Sequence, residues 1–381
     1  MIDFDKSILR MGSESLKWDD AASRFGAEVL PMWVADMDFA SPEAVQAALA
    51  ERVSHPVYGY PSGKEAILKI AADWIEKRHG FQADPDHLLP ISGVVSGIFA
   101  AVRAFTRIGE NILVLSPAIP PFFSAVQDQG RTLLEVPLQK KEKIRYEIDW
   151  PRLETLLPEA RMLVLCSPHN PTGRVWDYAE LHHLGSLASR HGVLVLSDEI
   201  HADLAFPGQV HTPFAQLFPD SVLLGSPGKS FNIAGIGGGF ALVQDRERRR
   251  HYAEELRRSQ LDELSIFSLI AMKAAWEKGQ PWLDRLRDYL HSNAIHLGER
   301  LSAELPGIHY VMPEFGYLAW LDLRALDLED QDIAGYLLKA RLGLTPGPYF
   351  GPGGHGFVRL NFGTSRAILD EGMDRLAQAF G

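Results

Sequence analysis

The sequence predicts an α/β protein, with a mainly parallel central sheet in a large domain and a smaller α/β domain beside it. Three observations predict it. Between about 92 and 245, short apolar runs (ILVLS, TLLEVPL, MLVLC, GVLVLS, SVLLGS, GFALV) alternate in part with amphipathic helical stretches. Several of these runs are nearly continuous in apolar residues, as strands are when helices cover both faces of a sheet. The 381 residues are 46% hydrophobic and 23% charged, a globular composition with enough chain for more than one core.

The first forty residues read as irregular and end in the apolar stretch LPMWVADMDF. Ser41 and Pro42 fit the N-cap and first position of a helix over about 43–53. Ser62 and Glu65 have the spacing of a capping box for a helix running to about 78. A helix over 94–107 starts within SGVVSG, and the six strand candidates follow. From about 246 the pattern turns helical through about 304. The remainder mixes strand candidates, LAWLDL and FVRLNF, with helices at about 329–341 and 366–380. The expected division is an N-terminal segment over 1–44 packing with the small domain, a large domain over 45–275 and a small C-terminal α/β domain over 276–381.

Lys plus Arg total 38 and Asp plus Glu 49, for a net charge of −11. That balance argues against nucleic acid, whose phosphates need concentrated Lys and Arg. The basic stretch Arg246 to Arg250 is followed by Glu254 and Glu255 and reads as a solvated helix face. The single cysteine, Cys166, excludes an intramolecular disulfide and a cysteine metal cluster, so no metal is expected. At the end of MLVLC it reads as a small buried hydrophobe. The opening MIDFDKSILR lacks the pattern of a signal peptide, and no apolar run approaches a membrane span. A cytoplasmic location with no membrane partner is expected.

Ligands of an open parallel sheet bind beyond the carboxyl ends of its strands. Four polar groups stand there. SGVVSG, Ser92 to Gly97, opens a helix whose free N–H groups suit a phosphate; a plain helix cap reads the same way. SPHNPTG, Ser167 to Gly173, is a sharp loop that holds Asn170. SDEIH places Asp198 just past a buried strand, where a carboxylate needs a positive or proton-bearing partner. Glu199 and His201 beside it read equally well as structural. SPGKSFNIAG, Ser226 to Gly235, sets Lys229 among small residues, where desolvation frees an amine as a nucleophile. A phosphate-binding P-loop is excluded, because the GKS string lacks the earlier glycine of that motif. The four groups together ask for a ligand with a phosphate, a phenolate oxygen, a basic ring nitrogen and a carbonyl. Pyridoxal 5′-phosphate carries all four.

Asn170 in NPTG, Asp198 in SDEIH and Lys229 in SPGKS resemble the fold-type I pyridoxal-phosphate enzymes of the aspartate aminotransferase superfamily, in order and in spacing. WVADMDF, Trp33 to Phe39, and SFNIAG, Ser230 to Gly235, resemble its bacterial cystathionine β-lyase or cysteine C–S lyase branch, the maltose-regulon modulator type. The resemblance covers nearly the whole chain. It implies a lyase that splits L-cystathionine or related cysteine S-conjugates into a thiol, pyruvate and ammonia. The alternative it leaves is an aminotransferase acting on an L-amino acid and a 2-oxo acid. It implies that Lys229 holds the cofactor, Asp198 its ring nitrogen and Asn170 its ring oxygen, with His201 nearby. Gly93, Val94, Val95 and Ser226 would bind the phosphate, and Tyr60 in YGY would reach it across a homodimer interface. Arg359 in FVRLNFG would grip the substrate α-carboxylate, with Trp33, Ala35 and Asp36 also at the substrate. The chain departs from the family twice. Ile119 stands where a ring-stacking tyrosine is usual, with Phe122 and Phe123 as neighbours, and Gly237 stands where transaminases carry a phosphate-binding arginine. The second departure favours the lyase.

Overall fold

In chain order the strands are β1 (Leu30–Pro31), β2 (Leu88–Ile91), β3 (Asn111–Ser116), β4 (Thr132–Pro137), β5 (Gln139–Lys141), β6 (Arg145–Glu147) and β7 (Ala160–Cys166). They continue with β8 (Leu194–Asp198), β9 (Val222–Gly225), β10 (Gly239–Val243), β11 (His309–Tyr310) and β12 (Leu318–Asp322). The last are β13 (Leu342–Gly343), β14 (Thr345–Pro346) and β15 (Phe357–Asn361). A computed structural model describes residues 2–141 and 145–381.

Seven strands form the main sheet in the order β2-β10-β9-β8-β7-β3-β4. Only β10 runs against its neighbours; the other pairings are parallel. All six apolar runs of the central region are therefore strands, and the ends of β7 and β8 are buried throughout. On one face, the helix Val94–Phe105 buries Val94, Ile98, Ala101 and Val102. The helix Arg246–Arg258 packs against it, and Tyr252 donates from its hydroxyl to the Gly97 carbonyl at 2.6 Å. On the other face lies the helix Tyr178–Arg190. Asp177 caps it by accepting from the Glu180 N–H at 2.8 Å, while the Glu180 carboxylate accepts from the Asp177 N–H at 2.9 Å.

Strand β2 was not expected. Pro90 interrupts its apolar pattern, and it lies at the sheet edge, where a missing N–H is tolerated. Two expected caps are also absent. The helix Lys64–His79 starts after Gly63 with no side-chain cap, so Ser62 and Glu65 form no capping box. Ser41 does not cap Glu43–Ser54 either; its hydroxyl donates to the Asn232 carbonyl at 2.9 Å. The long helical region is three helices, Arg246–Arg258, Ile266–Lys278 and Gln280–Glu304.

A second, antiparallel sheet has the order β11-β12-β15-β14. The helices Gln280–Glu304 and Arg366–Phe380 pack on each other beside it. The N-terminal segment joins this part through β1, which pairs in parallel with β13. Residues 33–39 then run on toward the main sheet. Asn361 donates to the Val34 and Asp36 carbonyls at 2.6 Å, and Asn232 donates to those of Met37 and Phe39 at 2.9 and 2.8 Å. One strap is thus pinned from both sheets.

Candidate active site

The strands β2, β3, β7, β8 and β9 all end on one edge of the main sheet, and the loops after them carry the polar groups named above. Between that edge and β15 lies a cavity of about 430 Å³. Trp33, Ala35, Val94, Val95, Ile119, Asn170, Asp198, His201, Lys229 and Arg359 line it. Residues from the strap after β1 to the last strand, β15, therefore meet in one place.

Asn170 is positioned by its loop. Gly173, at φ +77°, makes the turn, and a side chain there would run into Pro313, whose Cβ lies 2.7 Å from the Cβ position. Val94 and Val95 open the helix Val94–Phe105, and the first-turn N–H groups of a helix have no intrahelical acceptor. Lys229 follows β9 and is half-buried. Its Nζ donates to the Ala35 carbonyl at 2.7 Å. Burial, and then the positive charge of Arg359, lower its amine to about 8.

Asp198 ends β8 and is buried. Its Oδ1 accepts from the Ile200 N–H at 3.1 Å. Burial outweighs that bond and pushes the carboxyl up to about 7. Among the described residues it forms no ion pair. His201 is held neutral, its imidazole lowered to about 3 by burial and by the charges of Lys229 and Arg359. Its Nδ1 is buried without a partner.

Arg359 lies in the middle of β15, fully enclosed. Its Nη1 donates to Asn170 Oδ1 at 3.2 Å and its Nη2 to the Trp33 carbonyl at 2.9 Å. Its Nε has no partner, and the guanidinium stands 4.8 Å over the ring of Phe350. Burial lowers its pKa to about 10, so it stays cationic at neutral pH. Among the described residues no carboxylate pairs with it.

These are open valences of complementary kinds. A buried carboxylate without a cation fits a proton-bearing ring nitrogen, and a buried guanidinium without an anion fits a carboxylate. A helix start fits a phosphate, and an amine of lowered pKa fits a carbonyl. Pyridoxal 5′-phosphate together with an amino acid substrate meets all four.

Four expected site residues are not in the cavity wall. Gly93 is the N-cap residue of the helix Val94–Phe105. The Ser226 hydroxyl donates to the Gly238 carbonyl at 2.7 Å and accepts from the Gly228 N–H at 3.1 Å, which shapes the loop before Lys229. Asp36 accepts from both terminal nitrogens of Arg10 at 3.0 Å. Tyr60 is fully exposed, between the helices Glu43–Ser54 and Lys64–His79. Glu199 is structural, bonded to His211 at 2.7 Å and to Ser197 and the Phe214 N–H at 2.8 Å. Neither Phe122 nor Phe123 lines the cavity. Phe122 is buried in the core against the sheet, and Phe123 packs on Gly351. Ile119 and the prolines after it form that part of the wall.

Sequence reasoning missed Tyr317, whose buried hydroxyl donates to the Ala35 carbonyl at 3.0 Å, the same oxygen that accepts from Lys229. It also missed the ion cluster behind the strap. Asp38 accepts from Arg10 at 2.7 Å and from Lys17 and Trp18 at 2.8 Å. The signal available was the pair of carboxylates in WVADMDF, which need cations once buried.

The aminotransferase class I and II family model matches residues 28–376. The chain is 42% identical to cystathionine beta-lyase PatB of Bacillus subtilis over 99% of this chain and 100% of that protein. It is 36% identical to protein MalY of Escherichia coli, covering 100% of this chain and 99% of that one. Among solved structures it superposes on cystalysin from Treponema denticola, which contains a pyridoxal 5′-phosphate cofactor. The TM-score is 0.96 at 31% identity, covering 100% of this chain and 98% of that one.

Proposed function

The chain belongs to the class I and II aminotransferase family, and from that premise we propose that it is a pyridoxal-phosphate-dependent carbon–sulfur β-lyase. The fold is that of the fold-type I pyridoxal-phosphate enzymes. The substrates are L-cystathionine and related cysteine S-conjugates. A conjugate and one water become a thiol, pyruvate and ammonium. The observation that carries the reading is the meeting in one cavity of Lys229, the buried carboxylate Asp198, which has no ion pair among the described residues, and the buried Arg359, whose Nε has no partner. The cystathionine beta-lyase relative PatB, and Gly237 in place of a phosphate-binding arginine, favour the lyase over the aminotransferase.

When bound, the cofactor supplies an aldehyde that captures a primary amine and a cationic ring that accepts electrons from the substrate Cα. Asp198 would hold the ring nitrogen protonated, and that partner would let its own carboxyl ionise. Asn170 would donate its amide to the ring oxygen, and the N–H groups of Val94 and Val95 would hold the phosphate. Arg359 grips the substrate carboxylate with its free guanidinium edge and so orients Cα toward Lys229. Lys229, neutral for a useful fraction of the time at a pKa near 8, removes the Cα proton.

The test is pyruvate, ammonium and thiol release from L-cystathionine with and without an added 2-oxo acid. Production that needs the 2-oxo acid overturns the lyase. Arg359→Lys keeps the charge but loses the two-pronged fit, so kcat/KM drops about 100-fold or more. An unchanged value removes Arg359 from the substrate.

Ile119 covers less of the cofactor plane than a ring would. Ile119→Tyr therefore tightens cofactor binding by about fivefold, from roughly 1 kcal/mol of stacking. Phe122→Ala and Phe123→Ala leave it unmoved. Loss of cofactor in either phenylalanine variant overturns this reading.

The reading includes a large domain over 45–275, a small one over 276–381 and residues 1–44 packed with it, supported by the β1 to β13 pairing. It also includes a homodimer in the cytoplasm, in which Tyr60 reaches the cofactor phosphate of the other subunit. The full exposure of Tyr60 in the single chain supports this. Tyr60→Phe then weakens cofactor binding by about 1 kcal/mol or more. A monomer of full activity in sedimentation overturns it. No helix among the described residues is long and apolar enough to cross a membrane.

A further inference from the structure

The Ala35 carbonyl oxygen accepts two hydrogen bonds from distant parts of the chain. One comes from Lys229 Nζ at 2.7 Å, in the loop after β9, and the other from the Tyr317 hydroxyl at 3.0 Å, just before β12. Asn361 holds the carbonyls on either side, those of Val34 and Asp36, at 2.6 Å. The strap therefore cannot turn at Ala35 without breaking bonds to three side chains. Tyr317 is fixed as well. It is buried, its carbonyl accepts from the Phe362 N–H at 2.8 Å, and its ring meets His201 edge-on with centroids 6.3 Å apart. A side chain at Gly363 would come within 3.0 Å of its Cβ. Among the described residues the Ala35 carbonyl is the one hydrogen-bond partner of the Lys229 amine.

We propose that Tyr317 is a positioning residue of the reaction, holding the Ala35 carbonyl as the rest on which the Lys229 amine waits whenever it is not joined to the cofactor. The inference rests on the lyase reading above and adds a residue that acts through Lys229 at that same site. A neutral amine has two N–H groups and one lone pair. Giving one N–H to a fixed oxygen stops free rotation about Cε–Nζ, so the lone pair keeps to a narrow range of directions. When Lys229 takes the Cα proton, the Cα–H bond breaks, a new N–H bond forms, and the electron pair passes to the cofactor ring. An ammonium binds a carbonyl more strongly than an amine does, so a carbonyl with no other donor would favour the charged form of Lys229. The Tyr317 hydroxyl draws on the same oxygen and weakens that pull, which keeps the amine neutral more of the time. Burial raises the Tyr317 phenol well above its ordinary value, so it stays a donor throughout. Arg359 from β15, Asp198 and His201 at the end of β8, and Asp36 in the strap also act on the amine. None of them is altered by a change at Tyr317.

The test is the rate at which apoprotein captures pyridoxal phosphate, trapped with borohydride, followed from about pH 6 to 10. Mutual polarisation changes a hydrogen bond by roughly 10–30%, so Tyr317→Phe moves the midpoint up by about half a pH unit and slows capture at pH 7 about threefold. Tyr310→Phe removes a half-buried hydroxyl of the same sheet that donates to the Ala294 carbonyl at 3.1 Å, and it leaves the midpoint unmoved. Replacement of Tyr317 by 3-fluorotyrosine, a stronger donor of nearly the same size, moves the midpoint down and reports even where the phenylalanine variant does not fold. With L-cystathionine, Tyr317→Phe lowers kcat at pH 7 by about threefold or more and leaves KM within about twofold. An unmoved midpoint, or a change confined to KM, overturns the role of Tyr317 while the lyase reading stands. A shifted midpoint without pyruvate from any conjugate removes the lyase reading and leaves the hold of Tyr317 on the Lys229 amine standing.

Discussion

Lys229→Ala protein loses turnover of a cysteine S-conjugate by about 10⁴-fold or more. One substitution removes both the amine that holds the cofactor and the base for the Cα proton, and a positioned general base alone contributes about 10²- to 10⁴-fold. Free cofactor still binds, because Asp198, Asn170 and the helix start are intact. Borohydride reduction of the native protein followed by peptide mapping places the pyridoxyl group on Lys229. Its appearance on another lysine sinks the assignment. The pH dependence follows from burial. Only the neutral amine captures an aldehyde, and the Lys229 amine is lowered to about 8 from its ordinary 10.5. Cofactor capture by the apoprotein therefore slows about tenfold per pH unit below 8 and levels off above it. A midpoint near the ordinary lysine value would show that the amine is not desolvated.

The second large effect is at Asp198, and it has opposite signs with and without cofactor. Asp198→Asn cuts kcat/KM by roughly 100-fold or more, because it removes the anion that keeps the ring nitrogen protonated, a buried pairing whose loss costs about 3 kcal/mol or more. The same change stabilises the apoprotein at pH 8. The native carboxyl is raised to about 7 from 3.8, so the native state binds more protons than the unfolded chain between those values. Stability is thus lost as pH rises from about 4 to 7 and stays lost above. The amount is on the order of 4 kcal/mol, and asparagine abolishes it. Urea midpoints of the two apoproteins at pH 5 and pH 8 measure it. Equal midpoints at pH 8 would contradict a desolvated, unpaired carboxylate.

Much of the fold is legible in local pattern. The runs ILVLS, MLVLC and GVLVLS are strands because continuous apolar residues bounded by turns leave no other way to hide both faces. The helix at 366–380 is read from its period. Local signals fail where the environment outweighs them. Ser62 and Glu65 have the right spacing, but Gly63 starts the helix at φ +105° and leaves the serine outside it. Ser41 is drawn to Asn232, 191 residues away, which no local pattern encodes.

The sequence by itself determined that Asn170, Asp198 and Lys229 stand at the carboxyl ends of parallel strands or in the loops that follow them. That follows from strand period and turn chemistry, which are properties of a few adjacent residues. Only the tertiary structure decided that β15 brings Arg359 to Asn170, and that the strap 33–39 hangs its Ala35 carbonyl over Lys229. It alone turned Asp36 to Arg10 and kept Phe122 and Phe123 away from the cavity. These outcomes depend on how separate surfaces fill shared volume and on which buried charge finds which partner. Both are settled by close packing across the chain, where a shift of one side chain exchanges a satisfied group for a costly unsatisfied one.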